Sequence, residues 1–79
     1  MDTTPNTRSA VAAEVRASLG RAGRSAAWLA ESAGISRTAL SRKLRGDVSF
    51  TVEELVLVAL ALGVEPDTFL PRTDATAAA

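Results

Sequence analysis

The stretch that decides the fold runs from Ser25 to Gly46: S-A-A-W-L-A-E-S-A-G-I-S-R-T-A-L-S-R-K-L-R-G. Two short helical segments lie in it, separated by Gly34. Ser25 supplies a hydroxyl that caps a first helix from about Ala26 to Ser32, because a side-chain oxygen at that position takes a backbone N–H that has no partner inside the helix. Leu29 and Ala30 face inward, with Ala33 following. Gly34 stands where the chain must open into a left-handed turn. Ser36 then caps a second helix from about Arg37 to Arg45, whose Leu40 and Leu44, four residues apart, share one face. Ala39 allows close approach, and Gly46 stops it. Ala30 is small enough for the two helices to cross closely, while Ile35 and Leu40 fix a steep angle between them. Such a pair projects its second helix outward.

The same reasoning extends in both directions. Upstream, Thr4-Pro5 is an entry signal for a helix, and Val11, Val15 and Leu19 make an apolar stripe along a helix from about Thr7 to Leu19. Gly20 and Gly23 end it. Downstream, Thr51 and Glu54 form a capping box that opens a helix from Val52 to Leu62, and Gly63 closes it. Pro66 starts a short fifth helix in which Phe69 and Leu70 pack back, ended by Pro71. The domain reading is an arm over 1–6, one helical domain over 7–71 and a disordered tail over 72–79. The fold class is all-α, a bundle of four to five helices.

Composition narrows the chemistry. With 79 residues the chain holds one domain. It has no cysteine, which excludes disulfides and thiolate metal sites, and no histidine or tyrosine. The carboxylates are scattered over helix surfaces, and the glycines read as helix stops and not as a phosphate cradle. An enzyme, a metal site and a cofactor are therefore not expected. No apolar run reaches the length of a membrane span, and Met1 to Thr7 is polar, without the apolar core of a signal peptide. A soluble, cytoplasmic protein is the expectation.

Formal net charge is zero, but it is unevenly placed. Residues 21–45 carry Arg21, Arg24, Arg37, Arg42, Lys43 and Arg45 against Glu31 alone. Residues 46–79 carry Arg72 against Asp47, Glu53, Glu54, Glu65, Asp67 and Asp74. A neutral average thus conceals a basic middle, and a polyanion responds to the local field. An ordinary solvated face is the bland alternative for the same arginines.

The chain resembles the phage lambda repressor-like (Cro-like) helix-turn-helix family. The resemblance is carried by Leu29, Ala30, Glu31, Ala33-Gly34-Ile35-Ser36, Leu40-Ser41-Arg42 and Gly46. It continues through Phe50-Thr51, Glu54-Leu55 and Ala61-Leu62-Gly63-Val64 to Pro66. It implies a compact bundle of that DNA-binding type, in which the Arg37–Arg45 helix enters the major groove of double-stranded DNA, the nucleoid being where such a protein would act. By position, Arg37, Thr38, Ser41 and Arg42 would read base edges, Arg37 being suited to guanine because a guanidinium bonds O6 and N7 together. Phosphates would be held by Arg24, Ser25, the helix N-terminus at Ala26, Ser36, Lys43 and Arg45. Ser36 also reads as a cap alone, and Arg42 and Arg45 as partners of a helix C-terminal dipole. One departure stands out: many family members have Gln where this chain has Ala26, and that Gln touches a phosphate and braces the recognition helix. A differently braced docking is expected.

Two features lie outside that pattern. Trp28 occupies a position that is commonly polar; it reads as an extension of the core over the first or fourth helix, or as a partner contact. In the fourth helix, Val52, Leu55, Val56, Ala59 and Leu62 are expected to face the core, yet Leu57 and Leu60 are apolar on another face. A helix apolar all round needs cover all round, which points to a homodimer through Leu57, Leu60, Ala61 and Val64, with coverage by the C-terminal tail as the alternative. The functional expectation is a sequence-specific repressor bound as a dimer to an inverted repeat. The alternative is a protein-binding module of the antitoxin type that neutralises a partner through the fourth helix.

Overall fold

The computed structural model describes residues 4–70, with side chains from Thr7 onward. Four α-helices follow one another: α1 (Thr4–Ala22), α2 (Ala26–Ala33), α3 (Arg37–Leu44) and α4 (Val52–Leu62). A 3₁₀ turn, Pro66–Phe69, comes after them. Among the described residues there is no strand, so the all-α reading holds. The tail read over 72–79, and the first residues of the arm read over 1–6, lie outside the described residues.

The punctuation marks act as their chemistry requires. The Ser25 hydroxyl accepts from the N–H of Trp28, and the Ser36 hydroxyl from that of Ala39. Thr51 and Glu54 form the complete capping box: the Thr51 hydroxyl accepts from the Glu54 N–H, and the Glu54 carboxylate accepts from the Thr51 N–H. Gly34 closes α2 at φ 72°, a left-handed conformation that an L side chain resists. Helix α1 departs from expectation. It begins at Thr4, inside the segment read as an arm, and runs through Gly20 to Ala22. A lone glycine costs a helix only about 1 kcal/mol, and the chain turns instead at Gly23.

Helix α1 packs on α3, α4 and the 3₁₀ turn; α2 packs on α3 and α4; α4 also meets the 3₁₀ turn. Their shared core contains Val15, Leu29, Leu40, Val58 and Phe69, all but sealed from solvent. Val11 and Leu19 of the predicted α1 stripe are buried with them, as are Ala30, Ala33 and Ile35 of the turn motif. Trp28 is half-buried against this core, consistent with its reading as a core extension.

Helix α4 is rotated from the expected phase. Leu55, Val58 and Ala59 are buried, and Leu62 packs partly against the core, but Val52 is 79% and Val56 39% exposed. The two valines expected inside are therefore outside. Val58 takes the central place, fully buried.

An ion pair ties α3 to the start of α4. Lys43 Nζ lies 2.7 Å from both carboxylate oxygens of Glu54. Lys43, expected to contact a phosphate, is thus buried against α4 with its ammonium on Glu54. Burial acts to raise the Glu54 pKa, but hydrogen bonds from Lys43 and Thr51 and the Lys43 charge outweigh it, so the carboxyl titrates below its ordinary 4.5. A carboxyl depressed in the folded state stabilises it above the unfolded-state pKa and loses that contribution as pH falls through the folded value. On acidification from about pH 5 to about pH 3, the wild type should therefore lose more stability than Glu54→Gln, as read by urea midpoints at each pH. Parallel losses in the two proteins would show that this ion pair does not couple pH to stability.

Candidate nucleic-acid interface

Helix α3 has two faces. Leu40 and Lys43 are buried, and Leu44 is half-buried. Arg37, Thr38, Ser41, Arg42 and Arg45 are exposed, recurring at the spacing of one helical face. The residues assigned to base reading thus stand together on the outer surface.

This face forms one wall of an open groove of about 800 Å³, lined by Arg16, Ala26, Ala27, Arg37, Thr38, Leu40, Ser41, Arg42, Leu44 and Arg45. Four guanidinium-bearing residues line it and no carboxylate does. The other wall is the start of α2. Ala26 and Ala27 begin that helix, and their N–H groups have no acceptor among the described residues. Free first-turn N–H groups carry the positive end of the helix dipole and favour an anion.

The remaining predicted contacts are placed as follows. Ser25, next to this end of α2, already accepts from Trp28 N–H, and its hydroxyl proton is left to donate. Ser36 likewise caps α3 first. The Arg24 guanidinium sits 4.7 Å from the centroid of the Trp28 ring, a cation–π arrangement that holds the charge beside the start of α2. Arg45 Nε lies 3.1 Å from an Asp47 oxygen. Both groups are well exposed, so the pair is worth about 0–1 kcal/mol and leaves Arg45 easily recruited.

The brace that Ala26 cannot supply comes from α1. Arg16 donates through Nη1 to the carbonyl of Leu44, the last residue of α3. Arg8 donates through Nε to the carbonyl of Gly46 at 3.2 Å. Gly46 has φ 83°, and a methyl group there would stand 3.3 Å from Ser9 Oγ, so α1 runs close past the end of α3. Sequence reading did not single out Arg8 or Arg16. Both lie in the first helix, 38 and 28 residues before the carbonyls they reach, and no local signal marks them.

On the outer surface of α4, Leu60 is 72% and Leu57 40% exposed, with Val52 and Val56 beside them. Ala61 and Val64, expected with Leu57 and Leu60, are half-buried and pack against the core. The exposed apolar stripe is therefore Val52, Val56, Leu57 and Leu60. No helix among the described residues is long and apolar enough to cross a membrane.

Comparison with known proteins sets this geometry in a family. The BetR domain model matches residues 6–79, and the chain belongs to the BetR domain family. No curated protein matches the chain. Among solved structures it is similar to a hypothetical transcription factor, NHTF, from Neisseria, at 25% sequence identity and a TM-score of 0.77, over 91% of this chain and 83% of that one.

Removal of the α3 cap gives a direct check on how this face is held. Ser36→Ala is expected to cost about 1 kcal/mol of stability in chemical denaturation, because the Ala39 N–H loses its acceptor. A loss below a few tenths would mean that solvent replaces the cap and that α3 is fixed by its other contacts.

Proposed function

We propose that this chain is a sequence-specific DNA-binding transcriptional regulator that inserts α3 into the major groove. The observation that carries this reading is the carboxylate-free groove along α3, where Arg16, Arg37, Arg42 and Arg45 stand over the open start of α2. Duplex DNA presents closely spaced phosphates that such a surface attracts. Guanine presents two acceptors in the major groove, which suits Arg37 at the first turn of α3. Thr38, Ser41 and Arg42 complete the base-reading set. Arg24, Ser25, the N–H groups at Ala26, and Arg45 hold phosphates, and Ser36 keeps α3 capped in contact with the backbone. The likeness to a protein titled a hypothetical transcription factor supports the same class. Phage lambda repressor-like docking is the geometry proposed here.

The test is an affinity selection on a random duplex library at near-physiological salt, with Arg37→Ala in parallel. The expected result is enrichment of one motif, with preference relaxed at a single base pair in the variant and a loss of about 1–3 kcal/mol for the wild-type motif. A folded wild type that enriches nothing would overturn sequence-specific recognition.

We further infer that the active form is a homodimer paired through α4. Leu60 and Leu57, with Val52 and Val56, leave an apolar stripe open to water on one helix. Burying a leucine is worth about 1.5–3 kcal/mol, so a symmetric pair of such stripes supports association. Two copies of α3 would then meet successive major grooves roughly 34–36 Å apart, on an inverted repeat. Occupancy of such a site in a promoter blocks transcription, which makes the output repression. In sedimentation, the wild type should be dimeric and Leu60→Glu monomeric while still helical. A folded Leu60→Glu that remains dimeric would place the interface elsewhere. A monomeric wild type would overturn the dimer and favour the alternative, an antitoxin-type module that neutralises a protein partner through this stripe.

A further inference from the structure

Helix α3 ends in a carbonyl that no backbone N–H satisfies. The carbonyls of Ser41, Arg42 and Lys43 accept from the N–H groups of Arg45, Asp47 and Gly46. The Leu44 carbonyl has no backbone donor and takes Arg16 Nη1 from α1. That leaves the guanidinium with several N–H donors, since it carries five in all. Arg16 is exposed, lines the cationic groove, and has no carboxylate partner among the described residues. Its neighbours at this end differ. Lys43 is taken by Glu54, and Arg45 is shared with Asp47. The end of α3 is also where the helix dipole places partial negative charge, which repels a phosphate unless a cation covers it.

We propose that Arg16 is a two-sided clamp: one N–H holds the last carbonyl of α3 while the others take a DNA phosphate alongside the recognition helix. It thereby joins backbone binding to the position of α3, the task that a side chain at position 26 cannot perform in this chain. The inference rests on duplex DNA being the ligand. Arg16 is a positioning and phosphate-binding residue and reads no base, because it reaches the groove from the neighbouring helix and not from the outer face of α3.

The experiment measures binding of the full chain to a fluorescein-labelled mixed-sequence duplex by anisotropy over a series of salt concentrations. Wild type is compared with Arg16→Gln and Arg16→Lys. Gln removes the charge and keeps a polar amide, though its nitrogen ends two bonds short of Nη1; Lys retains the charge. Arg16→Gln should weaken binding and reduce the slope of log affinity against log salt by about 0.9, the value for one phosphate contact. Arg16→Lys should keep the wild-type slope. A purely structural role would lower affinity or thermal stability without moving the slope. An unchanged slope in folded Arg16→Gln, checked by circular dichroism, would overturn the clamp while leaving DNA binding intact. A folded wild type that does not bind the duplex would overturn the DNA reading and the clamp with it.

Discussion

Helix α3 is eight residues long, and everything on the candidate interface depends on keeping it helical and fixed. Helices shorter than about 12–15 residues are marginal alone in water, because nucleation costs more than a few backbone hydrogen bonds return. Tertiary contacts must therefore hold both ends of α3. At its start, Ser36 caps the first turn and Leu40 enters the core. At its end, Lys43 is bound to Glu54 of α4, and α1 supplies Arg16 to the last carbonyl and Arg8 to the loop beyond. With the inner face so fastened, the outer residues are free of structural duties and remain available to a ligand.

The same arrangement explains how a chain of zero net charge presents a cationic surface. Its carboxylates are not evenly mixed with its cations. Glu54 is drawn inward by Lys43 and the Thr51 N–H, while the groove along α3 gathers Arg16, Arg37, Arg42 and Arg45 without a carboxylate. The field that a polyanion meets is set by that placement and not by the sum. The Glu54 carboxylate also links two otherwise separate features, the cap of α4 and the inner face of α3, so one group fixes the relative position of both helices.

Much of this was legible in the residues. The caps at Ser25, Ser36 and Thr51, the turn at Gly34 and the limits of α4 follow from local chemistry, and the structure reproduces them. The exposed set Arg37, Thr38, Ser41 and Arg42 follows from helical spacing once Leu40 is placed inside. What was not legible depended on distant partners. Lys43 looked like another member of a basic run, and its pairing with Glu54 is a tertiary fact. Helix α4 is apolar on nearly every side, so periodicity cannot choose its phase; Val58 won the core, and Val52 and Val56 were left outside. Arg8 and Arg16 gained their roles only because α1 passes the end of α3.

The most direct test of the claim that α3 and the start of α2 form a DNA-binding surface is a titration of the ¹⁵N-labelled chain with a mixed-sequence DNA duplex, followed amide by amide. The result expected is a set of shifts concentrated at Ser25–Ala27, along Arg37–Arg45 and at Arg16, increasing as salt is lowered, with Val56, Leu57 and Leu60 little affected. Absence of shifts at low salt, or shifts confined to α4, would contradict it.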